Sequence, residues 1–152
     1  MEHKIKVLPP EELMEPLLAL LEDTDSVPLM ISGDSMAPFL VHGRDTVYLS
    51  KINVPPRRGD MILYRRDNGQ YILHRVYEAG DTYTMVGDGQ AGLEPGIRRE
   101  QMLATVTAVC REGKLLKKGS FLWEFFEKGW IRMVPLRPVV RAVDSRIQRM
   151  LK

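Results

Sequence analysis

The chain has 152 residues, 44% of them hydrophobic and 28% charged, with a formal net charge of +2. That is enough chain to bury the core of one ordinary globular domain, and the overall charge singles out no partner class. Cys110 is the single cysteine, which excludes an internal disulfide, and no set of Cys and His has zinc-ligand spacing.

From Pro9 to about Thr24 the apolar residues Leu13, Leu17, Leu18 and Leu21 recur at helical spacing, with Glu11, Glu12, Glu15 and Glu22 between them. Pro9 and Pro10 suit the first turn, and acids near an N-terminus favour the helix dipole. Residues 1–26 are therefore expected to form a helix and a linker. The first ten residues carry charges and no apolar run, unlike a secretory signal, and no segment reaches the roughly 18 apolar residues that would span a bilayer. The expected location is the cytoplasm, including the membrane surface facing it.

Residues 27–118 change to short β-rich runs. The pattern predicts strands near Val27–Ser32, Thr46–Ile52, Asp60–Tyr64, Gln70–Tyr77, Tyr83–Val86 and Met102–Arg111. Asp67-Asn68-Gly69 between two such runs is a hairpin signal, and Ala79-Gly80-Asp81 and Arg111-Glu112-Gly113 mark further turns. Many short strands with little helix between them predict a mainly β, antiparallel, barrel-like domain.

Residues 119–152 read as a helical extension that is both basic and aromatic. Seven Lys and Arg stand against three acids, beside Phe121, Trp123, Phe125, Phe126 and Trp130. Pro135 and Pro138 should divide it into a short helix and a second one running to the C-terminus. The extension can pack on the β domain, dock a membrane-protein partner or lie on anionic lipid. Packing or docking is favoured, because the two prolines spoil a long amphipathic face. No nucleic-acid motif is present.

Three short stretches carry chemistry. Ser32-Gly33-Asp34-Ser35-Met36-Ala37-Pro38 follows an apolar strand directly. A serine at a strand end, with Gly before it and a turn after it, presents its hydroxyl, and its own N–H can help to hold an oxyanion. Gly33, Asp34 and Met36 flank Ser35 on the expected oxyanion and substrate side, Asp34 itself reading as a solvated turn residue. Gly-Asp-Ser is equally a common surface turn. His74, within Tyr71-Ile72-Leu73-His74-Arg75-Val76, is a candidate base or a structural strand histidine. Val86-Gly87-Asp88-Gly89 is a strand running into an acidic turn. His42 and His3 read as solvated.

In this order and with these spacings, and with Arg58-Gly59-Asp60-Met61-Ile62-Leu63-Tyr64 between the first two, the stretches resemble the signal peptidase I family and its LexA-like relatives. The resemblance covers about Pro28 to Val109. It implies a LexA/signal-peptidase-like β domain and a serine endopeptidase with Ser35 as nucleophile and His74 as general base, acting on a peptide or protein substrate without metal or organic cofactor. Most bacterial members use lysine as base, and His74 is similar to the endoplasmic-reticulum and archaeal type. By motif, Asp88 is the first candidate to orient His74. Glu94, near the place of the orienting aspartate in histidine-type relatives, is the second. The family's membrane anchor before the nucleophile is replaced by the Glu-rich amphipathic helix, and neither a helix-turn-helix nor an Ala-Gly linker of LexA type precedes the strands. Two other readings stand beside the enzyme: a non-cleaving peptide-binding or regulatory module of the same fold, and a docking protein acting through residues 119–152.

Overall fold

Pro10 opens an α-helix, α1 (Pro10–Asp23), in a computed structural model that describes residues 10–136 and Met150. Met14 and Leu21 are buried, and Leu13, Leu17 and Leu18 pack partly against the same core, so the apolar spacing read from the sequence is the face that docks. The Thr24 hydroxyl donates to the Leu20 carbonyl at 2.9 Å and helps to close the last turn.

Eight strands follow: β1 (Val27–Met30), β2 (Asp45–Ser50), β3 (Met61–Arg65), β4 (Tyr71–Ala79), β5 (Tyr83–Val86), β6 (Glu94–Ile97), β7 (Met102–Arg111) and β8 (Lys114–Lys117). They form one sheet in the order β1-β2-β7-β3-β4-β5-β6, with β8 added to β7, and every pairing is antiparallel. A mainly β chain with an N-terminal helix and a short C-terminal helix is thus what the structure has.

The turns set the register. Arg65 pairs with Tyr71 across the Asp67-Asn68-Gly69 turn, where Gly69 takes φ 91° and the Asn68 side-chain oxygen accepts the Gln70 N–H at 3.0 Å. Arg111 pairs with Lys114 across a two-residue loop, with φ 50° at Glu112 and 79° at Gly113. Positive φ at both positions is the turn that matches the twist of a hairpin. That loop creates β8, and β6 is the other strand beyond those expected.

Two cores lie on the two sides of the sheet. Alternation along β3 sends Met61 and Leu63 to the first core, Ile62 and Tyr64 to the second. Being buried on both faces, β3 reads as an unbroken apolar run. The first core is covered by α1, the 36–40 loop and the helical segment 121–134. That segment has one α-turn, α2 (Phe121–Glu124), a π turn (Phe125–Gly129) and a 3₁₀ stretch (Trp130–Leu136). Its inward residues Trp123, Phe126, Ile131 and Val134 are buried. Through Trp130, then, the extension packs against the first core. The second expected helix, beyond Pro138, lies outside the described residues except for Met150. Among the described residues, no helix is long and apolar enough to cross a membrane.

Candidate active site

Ser35 sits on a turn pinned at both ends. Gly33, at φ 81°, swings the chain out of the extended run that ends β1. Its N–H donates to Nδ1 of His42 at 3.3 Å, so His42, exposed as expected, also has a role in holding this loop. The Ala37 N–H donates to the Asp34 carbonyl at 3.0 Å and the Leu40 N–H to that of Met36 at 2.9 Å. Met36, Phe39 and Leu40 are buried, Ser35 is half-buried and Asp34 is exposed. The Phe39 ring meets Trp123 edge-on at 5.9 Å and Phe126 at 4.9 Å. Its carbonyl accepts from Arg44 and Arg111, both also paired with buried Asp45. Burial alone would raise the Asp45 pKa, but hydrogen bonds from Arg111 and Arg44 and the Val41 N–H hold it below the usual carboxylate range.

The Gly87-Asp88-Gly89 turn backs onto the serine. The Gly89 N–H donates to the Ser35 carbonyl at 2.9 Å. A Cβ on Gly87 would overlap that same carbonyl oxygen, and one on Gly89 would come within 2.9 Å of the Ala37 and Asp34 carbonyls. Glycine is required here by close backbone approach.

Asp88 does not orient His74. Its carboxylate takes a two-pronged bond from Arg75, Nε to Oδ1 at 2.9 Å and Nη2 to Oδ2 at 2.8 Å, with both side chains buried. The third guanidinium nitrogen, Nη1, donates to the Gly59 carbonyl at 2.7 Å, and the Trp130 indole N–H to the Asp88 carbonyl at 2.7 Å. Arg75 also lies over the Phe39 ring, 5.4 Å from its centroid. Both carboxylate oxygens and the carbonyl of Asp88 are thus engaged in holding the turn. It is a structural residue, because Arg75, on the face of β4 that looks toward Phe39, reaches it first.

His74 belongs to the opposite face. It is paired with Ile62 in register, is 5% exposed, and its Nδ1 lies 3.3 Å from the Tyr64 hydroxyl. The Glu94 carboxylate adjoins that hydroxyl too. Arg66 grips Glu94 with Nε to Oε1 at 3.0 Å and Nη2 to Oε2 at 2.6 Å. The hydrogen bond from Arg66 keeps Glu94 ionised at lower pH than usual, and burial with the Glu94 charge pushes the Tyr64 phenol up. A phenol proton turned to the Glu94 carboxylate leaves the phenol oxygen to accept the imidazole Nδ1–H, whereas one turned to Nδ1 makes the phenol the donor to the ring. The first arrangement would make Nε2 the basic nitrogen. Burial lowers the His74 pKa to about 4, with Glu94 opposing and Arg66 reinforcing the shift. The ring is therefore neutral at pH 7, and an ordinary value near 6.5 does not apply.

No hydrogen bond joins the Ser35 hydroxyl to the His74 ring. What the fold brings together is the Ser35 backbone and the end of the β4–β5 hairpin. There, a groove of about 170 Å³ is lined by Ile31, Gly33, Ser35 and Met36 on one wall and Tyr71, Ile72 and Leu73 on the other. β5 pairs with β4 only from Arg75 onward, so among the described residues 71–74 have β3 on one side and no strand on the other. Among the described residues, the Ser35 N–H has no protein acceptor. No cluster of three or more His, Cys, Asp or Glu able to hold a metal occurs among the described residues.

No family model, curated protein or solved structure matches this chain. The site is accordingly read from its own geometry. Tyr64 and Arg66 were not picked out in the sequence. Their signal lay in the register: once the hairpin turn fixes Ile62 opposite His74, Tyr64 is its diagonal neighbour on the same face.

Proposed function

We propose that this chain is a serine endopeptidase of the signal peptidase/LexA-like type, with a barrel-like curl to its sheet and Ser35 as nucleophile. The reading is carried by one observation: the Ser35 turn, with its N–H unclaimed, faces an open β4 edge across a groove. An extended peptide laid along residues 71–74 would gain main-chain hydrogen bonds and bring a carbonyl carbon to Ser35. Ser35 Oγ would attack it while His74 Nε2 takes the hydroxyl proton, and the oxyanion would be held by N–H groups including that of Ser35. The imidazolium would return the proton to the leaving amine, and water would repeat the sequence on the ester. Glu94 acts on His74 through Tyr64, in the place that an orienting acid would fill directly. The hydroxyl and the ring must close on each other when substrate binds, since catalytic hydrogen bonds often tighten only in that complex.

The missing Ser35–His74 bond favours a second reading, a peptide-binding module of the same fold that does not cleave. A serine-reactive fluorophosphonate separates the two. The enzyme labels, Ser35→Ala does not, and His74→Ala slows labelling by about a hundredfold. Wild-type protein that stays unlabelled yet binds extended peptides is the module instead.

A further inference from the structure

Away from Ser35, on the side of the sheet covered by the helical segment 121–136, a cavity of about 230 Å³ is lined by Asp60, Thr105, Thr107, Lys118, Trp123 and Glu127 among others. Glu127 is 8% exposed, and its Oε2 is the single buried side-chain oxygen or nitrogen among the described residues with no hydrogen-bond partner. Oε1 meets the Lys118 ammonium at 3.3 Å, and Lys118 is itself largely exposed. Asp60 adds a second carboxylate, one oxygen of which accepts the Arg57 N–H at 2.9 Å. A buried carboxylate oxygen without a donor is costly to keep, so the cavity is short of a donor. Two acids against one lysine also leave it negatively charged.

We infer that this cavity is a binding site for a guanidinium group, the side chain of an arginine. The guanidinium is planar and carries parallel N–H donors that match both oxygens of a carboxylate, and its face can stack on the indole of Trp123. An ammonium fits less well: Lys118 already supplies one and leaves Oε2 unmet. Gly59 closes the floor, since a Cβ there would lie 2.7 Å from Glu127 Cγ. The site is independent of any activity at Ser35.

The test is a titration of the ¹⁵N-labelled whole chain with ethylguanidinium, read at the Trp123 indole N–H, with that of Trp130 as internal control. A saturable shift confined to Trp123 is expected, with a dissociation constant on the order of millimolar for so small a probe. Neutral ethylurea of the same shape should give none. Glu127→Gln should weaken binding at least about tenfold, the scale of one charge-assisted bond. Lys118→Met, at an exposed position, should strengthen it by freeing Oε1. Capped arginine binding more tightly than free arginine marks a polypeptide source, and the reverse order marks the free amino acid. No saturable shift, an equal response to ethylurea, or binding unchanged in Glu127→Gln and Lys118→Met would overturn the assignment.

Discussion

His74 and Arg75 are neighbours on β4, both almost wholly buried, and the molecule treats them in opposite ways. Arg75 donates from each of its three guanidinium nitrogens, to Asp88 and to the Gly59 carbonyl. His74 gives up its charge, with a pKa lowered to about 4 and one ring nitrogen committed to Tyr64. A buried ionisable group survives either by pairing or by neutralising. The paired one is a strut for the Ser35 turn. The neutral one makes its contact with a phenol rather than with a charge.

The contrast can be broken most severely at the strut. Asp88→Asn strands the Arg75 charge and should cost about 3–5 kcal/mol in urea unfolding, whereas Arg75→Met with Asp88→Leu should recover most of it. An Asp88→Asn variant of wild-type stability would mean that the pair is not holding the turn. Next comes the pH dependence of His74. Its folded pKa lies below the unfolded value, so between about 6.5 and 4 the unfolded chain binds a proton that the folded chain refuses. Stability contributed by the neutral ring is thus complete above pH 6.5 and falls by about 3 kcal/mol on acidification to pH 4. Subtracting the profile of His74→Phe isolates it from Glu94 and Asp45. The rate of phosphonate labelling should likewise fall off near pH 4, and a limb near 6.5 would show the ring titrating in water.

Smaller effects sharpen the comparison. Tyr64→Phe removes the partner that fixes the His74 tautomer and should slow labelling about tenfold, worth ~1.4 kcal/mol, with little change in unfolding. Equal labelling rates would mean that Nε2 needs no such help. Glu94→Gln acts one step further out, on a half-exposed pair, and should cost less than about 1 kcal/mol in stability. Its labelling rate should lie between those of wild type and Tyr64→Phe.

The antiparallel β character and most strand positions were legible because alternation and turn chemistry are local. Tyr83–Val86 and Met102–Arg111 fall where the pattern places them. β6 was not legible, since Pro95 and Gly96 are poor strand formers and it is held by pairing with β5. At the site, the turn around Ser35 and the glycines behind it could be read from residue type. The partner of Asp88 could not. Motif order places Asp88 near both His74 and Arg75, and only strand parity, with the Phe39 loop on one side and Tyr64 on the other, decides that the arginine takes it. Glu94, named only through the family resemblance, lies close enough to act on the imidazole electrostatically and adjoins the Tyr64 phenol.

The parity of β4 makes the length of the 66–70 hairpin loop a fixed quantity. Insert or delete one residue there while β3 holds its place, and the two neighbours trade sides: a guanidinium would confront the phenol, and an imidazole the Asp88 carboxylate. A change of chain length at this loop therefore rewrites the chemistry without touching a single functional side chain.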